Sequence, residues 1–115
     1  MKKILAVVLA LALVLSFSVA ATAENVVKIG VFEPASGDSG AGGKQETLGI
    51  QYANYVQPTV EIGGETYTVE LEYADNGSTA DKAPSAAQQL VSAGVSVVLG
   101  SYGSSVSMAG SPYFA

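Results

Sequence analysis

The sequence predicts an α/β protein: a three-layer parallel sheet with helices on its faces and an added β-hairpin. Three observations predict it. Apolar, β-branched runs at residues 26–32 and 95–99 read as buried strands. Segments with helical spacing alternate with the extended segments. Two Gly/Ser loops, residues 34–43 and 100–105, each fall after a strand and before a helix. Alternation of this kind implies parallel strands joined by right-handed crossovers.

The first strand, VVKIGVF at residues 26–32, has the composition of a strand covered on both faces. A turn cluster follows at 34–43. Residues 44–57 place Leu48, Tyr52 and Tyr55 at helical spacing, with Ile50 and Val56 nearby, and Pro58 ends that helix. Residues 59–62 and 65–73 are two extended runs around Gly63-Gly64, a hairpin signal. In the second run Tyr67, Val69, Leu71 and Tyr73 alternate with Thr68, Glu70 and Glu72, which predicts one apolar and one solvated face. The acids at 61, 65, 70, 72 and 75 belong to that solvated face, and residues 75–78 form a turn.

A helix over 79–93 carries Ala83, Ala86, Ala87, Leu90 and Val91 on one side. Ser78 or Asp81 is its expected cap, Pro84 falls in its first turn, and Gly94 is a natural residue to end it. Residues 95–99 form another buried strand, and residues 106–114 begin a third helix.

The N-terminus stands apart from this fold. A basic start, Met1-Lys2-Lys3, precedes an unbroken apolar run at 4–15 and the small residues Ala21-Thr22-Ala23. That order defines a secretory signal peptide over residues 1–23, cleaved after Ala23. The competing reading is an uncleaved anchor, which needs roughly 17–25 apolar residues. There is no Cys after the small residues to carry a lipid, so the expected mature chain, residues 24–115, is a single domain with no stable membrane anchor after cleavage.

Composition excludes much chemistry. The 115 residues include no Cys, no His and no Arg, and the net charge is −5. Without Cys there is no disulfide, thiolate metal site or cysteine nucleophile. Without His, Ser-His-Asp catalysis and the commonest transition-metal ligand are gone. Net acidity without Arg argues against nucleic-acid binding. The nucleotide motifs fail as well. Gly43-Lys44 resembles the end of a phosphate-binding loop, but Asp38 stands where its first Gly belongs and Gln45 where Ser/Thr belongs. No cofactor or metal constellation is evident.

In parallel sheets the ligand crevice lies at the carboxyl ends of the strands. Both Gly/Ser loops should meet there, and each offers free N–H groups at a helix start, suited to a carboxylate or other small anion. The alternative is a pair of ordinary turns whose Gly residues serve only backbone geometry.

One stretch, KIGVFEPASGDSGAGGKQETLGIQYA, and a second, DNGSTADKAPSAAQQLVSAGVSVVLGSYGSS, carry a family resemblance. They resemble the beginning of the substrate-binding proteins of branched-chain amino-acid ABC importers, the type I periplasmic binding proteins. Gly49-Ile50-Gln51-Tyr52-Ala53 matches the family's helix motif. Asp75, Asp81, Ala83, Ala87, Leu90, Val97, Val98, Gly100 and Ser104 fall on the second pattern. The resemblance implies the N-terminal part of lobe one of a two-lobed protein that closes on an amino acid or related carboxylate. It implies that Ser104 and Ser105, with the Tyr102-Gly103 backbone, hold the ligand's carboxylate. It also implies partnership with ABC permease subunits when the fold is complete, and a periplasmic or extracellular location. The family's first loop often places an aromatic residue where this sequence has Gly42, so only backbone contact is expected there. No enzymatic activity is expected: a small hydrolase using Ser104 or Ser105 is the alternative, and the sequence has no His, no Cys and no S-x-x-K pattern at either Ser.

Family members are far longer, so residues 24–115 are expected to be a truncated N-terminal portion. The alternative is a non-transporting secreted half-domain, acting as an interaction or dimerisation module, or a decayed gene product.

Overall fold

The computed structural model describes residues 24–115; the expected leader, residues 1–23, lies outside the described residues. Four strands build one mixed sheet: β1 (Val26–Val31), β2 (Thr59–Ile62), β3 (Glu65–Tyr73) and β4 (Val97–Leu99), in the order β2-β3-β1-β4. β1 runs parallel to β3 and β4, and β2 runs antiparallel to β3. The helices are α1 (Gly40–Val56), α2 (Ala83–Ser92) and α3 (Ser104–Gly110), followed by a 3-10 turn at Ser111–Tyr113. The α/β class and the added hairpin are as the sequence predicts. Gly63 and Gly64 close the hairpin with φ of +61° and +85°, the left-handed values that a two-residue turn between twisted strands requires.

Strand order decides where the helices lie. The chain leaves β1, passes to β3 on one side, then returns past β1 to β4 on the other. Right-handed crossovers in opposite directions put α1 on one face and α2 on the other. The α2 face holds the main core: Phe32, Ala74, Ala83, Ala86, Ala87, Leu90 and Val106 are buried together, with Val95, Val98, Ala109 and Phe114 against them. Gly30 in β1 lets Leu90 lie close, since a Cβ there would be 3.1 Å from its methyl carbon. Lys28, on the same face, ties its ammonium to the Ala93 carbonyl at 3.2 Å and to Glu72 at 3.0 Å.

The α1 face is less complete. A groove of about 710 Å³ lies between α1 and the sheet, lined by Ile29, Ile50, Val60, Val69, Leu71 and Leu99 among others.

Several boundaries differ from expectation. α1 begins at Gly40, not at residue 44, so the Gly-rich run is its first turn. Its expected apolar face points outward: Leu48, Tyr52 and Tyr55 are 63%, 69% and 83% exposed. Gly43 explains this. It is buried so tightly against Pro34 that a Cβ would collide with it. At about 100° per residue, positions 48, 52 and 55 then face away from the sheet, and 50 and 54 face it. α2 starts at Ala83, with Pro84 in its first turn, because Ser78 bonds elsewhere and Asp81 provides no cap. β4 covers only Val97–Leu99, since Val95 turns into the core and the Ser96 N–H bonds Lys28 across from β1. The third helix begins at Ser104 and tightens to a 3-10 turn at Ser111, where Pro112 interrupts it.

Candidate functional site

β1 and β4 are neighbours whose following loops leave toward opposite faces: residues 34–39 to α1, residues 100–103 to α3. This is a topological switch point, where open α/β sheets form a ligand crevice. The sequence expectation that both loops meet at one edge is met by direct contact. The flat ring of Tyr102 lies on Gly42, where a Cβ would stand 2.7 Å from the ring carbon Cε2.

A third loop fastens the other two. Asp75 Oδ1 accepts the N–H groups of Ala35 at 2.8 Å and Gly77 at 2.8 Å, and Oδ2 accepts the Ser36 hydroxyl at 2.6 Å. Burial pushes the Asp75 carboxyl up, but these bonds, led by the Ser36 hydroxyl, outweigh it and hold the group below its ordinary value. The Ser78 hydroxyl donates to the Ser36 carbonyl and accepts the Ser39 N–H. Asn76 is fully buried; its amide NH₂ donates to the Phe32 carbonyl at 3.1 Å and to the Ser101 hydroxyl at 2.8 Å, and its Oδ1 accepts the Ser78 N–H at 3.1 Å. Asp75 is exposed, as the sequence expectation of a solvated acidic face has it, and its carboxylate also accepts the backbone N–H groups of the first crevice loop.

Glu33 lies under the crevice floor, 5% exposed, with Oε2 accepting the Tyr102 N–H at 2.8 Å. Burial raises its carboxyl, the Tyr102 N–H opposes, and the hydrogen-bonded carboxyl of Glu46 raises it further, to about 7. Gly100, at φ +126°, is required beside it, because a Cβ would meet the Phe32 carbonyl and the Glu33 carboxyl.

A group whose folded-state value lies above its unfolded value favours folding most where it is protonated in both states. Stability from Glu33 is therefore fully present below about pH 4.5 and is lost as pH rises through about 7. We expect unfolding free energy to fall by roughly 2–3 kcal/mol across that window and Glu33→Gln to flatten the fall. Urea melts at pH 5, 6, 7 and 8 check it; an equal slope in the variant would assign the dependence elsewhere.

The expected binding residues sit at one place. Tyr102 and Gly103 form the loop, with Gly103 at φ +112°, and Ser104 and Ser105 open α3 with exposed side chains. Among the described residues, neither serine hydroxyl has a hydrogen-bond partner, and first-turn N–H groups have none within a helix. Glu33, Asn76 and Ser101 were not singled out from the sequence. The signal for Glu33 is an acid directly after an apolar strand; for Asn76 it is the Asp-Asn-Gly-Ser run, read only as a turn. Among the described residues there is no membrane-length apolar helix and no acidic, Cys or His cluster placed for a metal.

A mixed α/β sheet with an open crevice at its switch point has the geometry at which open α/β sheets take ligands. A periplasmic binding protein sequence profile matches residues 26–115, and the chain belongs to that family. A leucine-binding protein from Thermotoga maritima superimposes with a TM-score of 0.68 at 35% identity, covering 76% of this chain and 24% of that one. A branched-chain amino acid transporter substrate-binding protein from Streptococcus pneumoniae, solved with isoleucine, gives 0.66 at 28% identity, covering 77% and 26%. A solute-binding protein of an ABC transporter from R. palustris, solved with benzoate, gives 0.64 at 26% identity, covering 75% and 23%. The fold is thus that of a type I periplasmic binding protein lobe, as the sequence resemblance implies. The chain spans about a quarter of the length of these structures. No curated protein matches it.

Proposed function

We propose that residues 24–115 form the carboxylate-holding part of lobe one of an extracytoplasmic solute-binding protein that serves an ABC importer for branched-chain amino acids or related carboxylates. One observation carries the reading: the switch-point crevice presents the free hydroxyls and first-turn N–H groups of Ser104 and Ser105 beside the Tyr102-Gly103 backbone. Isoleucine and benzoate, the ligands of two similar structures, share a carboxylate and little else. Donors without a competing buried cation suit that group. Tyr102, lying over Gly42, supplies an apolar wall beside it. Residues 1–23 act as the leader, and the permease subunits are the partners of the complete two-lobed protein. No catalytic role is assigned.

This portion encloses only one side of a small ligand, so its own affinity is weak, about millimolar, worth roughly 4 kcal/mol. Titrating the chain with isoleucine and with benzoate should shift the amide resonances of Gly103, Ser104 and Ser105 saturably. Ser104→Ala should weaken that binding about tenfold, the loss of one charge-assisted hydrogen bond. Saturable shifts that Ser104→Ala leaves unchanged would remove the assignment.

The bare outer edge of β4 favours a second reading, a secreted module that pairs this strand with a partner or a second copy. Concentration-dependent sedimentation without carboxylate binding would select it.

A further inference from the structure

The outer side of α1, turned away from the sheet, carries an apolar seam that the fold leaves bare. Ala41, Gln45, Leu48, Tyr52 and Tyr55 follow one another at alternating steps of four and three residues, the spacing with which one helix packs along another. All five are exposed, and Val56 beside them is 62% exposed. The flanks of α1 are already engaged. Gln51 donates its amide to the Tyr73 hydroxyl at 3.2 Å on one side, and the Tyr102 ring lies against Gly42 on the other.

An α/β domain ends with its helix layers, so further elements of such a domain join α1 at its sides rather than above it. The seam also differs from the rest of the surface in charge. The chain carries a net charge of −5, yet the one carboxylate of α1, Glu46, lines the groove on the sheet side. Lys44 is the one charged residue of α1 on its outward side. An anionic lipid surface needs a basic cluster, which a single Lys does not provide. A second copy of the same seam, by contrast, brings no carboxylate against it.

The seam is large enough for that partner. From their exposure, Tyr52 and Tyr55 together offer roughly 350 Å². With Leu48, Val56, Ala41 and the stem of Lys44, two such faces remove about 1,200 Å² from water, the lower end of specific protein interfaces. Direction follows from the helix ends. α1 has no acid in its first turn and no base in its last, so each end keeps its partial charge, and only antiparallel packing sets opposite ends together. We propose that the outer face of α1 is a self-docking surface, on which a second copy of this chain lays its own α1 antiparallel about a two-fold axis near Tyr52. Leu48 then packs on the partner's Tyr55, and Lys44 reaches the carbonyl end of the partner helix. The inference stands on the sequence and exposure of α1, not on the carboxylate assignment.

Sedimentation equilibrium of residues 24–115 between about 1 and 500 μM tests it. We expect a monomer–dimer equilibrium with a dissociation constant of about 10–100 μM, as suits an interface of this size. Tyr52→Lys, at an exposed position and checked for folding by circular dichroism, sets two like charges at the axis and should weaken the dimer at least 30-fold. Val97→Lys, on the outer edge of β4, should leave it within about twofold. A chain that stays monomeric overturns the proposal. So does a dimer that Tyr52→Lys leaves intact or that Val97→Lys dissolves.

Cross-linking reads the direction. The chain has no Cys, so a single introduced thiol reports its own neighbour across the axis. Tyr52→Cys lies near the axis and should oxidise to a covalent dimer. Tyr55→Cys lies against the partner's Leu48 and should remain largely uncrosslinked. Equal or higher yield from Tyr55→Cys overturns the antiparallel arrangement. Flotation of the chain with phosphatidylcholine vesicles, lost in Tyr52→Lys and found in place of dimerisation, would assign the seam to a lipid surface and likewise overturns the proposal. None of these outcomes bears on the crevice, which is read at the Gly103, Ser104 and Ser105 amides.

Discussion

Phe32→Ala should destabilise the protein by about 3–5 kcal/mol, the largest loss of any single side-chain truncation in the core. Phe32 is 2% exposed and sits at the end of β1, where the main core meets the crevice. Its ring meets Phe114 edge to face, with centroids 5.3 Å apart and planes at 82°. It also lies so close to α3 that a Cβ on Gly110 would stand 2.6 Å from its Cζ. Removing the ring leaves a cavity bounded by α2, α3 and the 3-10 turn, which cannot collapse without moving α3. Small domains hold only about 5–15 kcal/mol in total, so the variant should be close to unfolded at 37 °C. Urea denaturation followed by circular dichroism measures the loss. A cost under 1 kcal/mol would mean that the ring is not packed as described. Gly110→Ala attacks the same contact from the other side and should cost about 1–3 kcal/mol through overpacking.

Asn76→Asp should cost about 3 kcal/mol although it changes almost no volume. The wild-type amide donates two hydrogen bonds, one to the Phe32 carbonyl and one to the Ser101 hydroxyl. The aspartate has no donor when ionised and places a buried negative charge against a carbonyl oxygen. The loss should be smaller at pH 4 than at pH 8, because protonation restores one donor and removes the charge. Asn76→Ala loses the same bonds without the charge and should show no such pH dependence. Both variants should also loosen the crevice, since Asn76 ties the end of β1 to the loop after β4. Broadened amide resonances at Ser101 through Ser105 would report this. Sharp, unshifted resonances would show that the loops hold their shape independently.

The pairing of β1 with β4 was legible because both runs are β-branched and mostly apolar and are followed by loops rich in Gly and Ser. The hairpin was legible for a similar reason: Gly63 and Gly64 stand between two alternating runs. The orientation of α1 was not. Periodicity in Leu48, Tyr52 and Tyr55 identifies an apolar stripe but not the direction in which it points. That direction is set by Gly43 against Pro34, a contact between residues with no apolar periodicity to reveal it. At the crevice, the meeting of the two loops followed from chain order alone. The work of Asp75, Asn76 and Ser78 did not, because a turn sequence shows which local bonds a side chain favours, whereas these side chains bond residues about 40 positions away. Glu33 went unnoticed for a comparable reason. Its carboxyl owes its altered proton affinity to burial and to Glu46, both products of tertiary structure.

The two borders of the sheet are unequal, and this limits how the molecule can multiply. At one border β2 is an antiparallel strand that carries the charge of Glu61 and is held in a tight hairpin. At the other, β4 ends the sheet with half-exposed Val97 and Leu99. A molecule with two receptive borders can add copies without end and grow into a fibre. A molecule with one can join only like to like, border against border, about a two-fold axis, which uses up the sole receptive surface of both copies. Any self-association through strand pairing should therefore stop at two copies, and the acidic hairpin on the far side acts as a terminus rather than as a link.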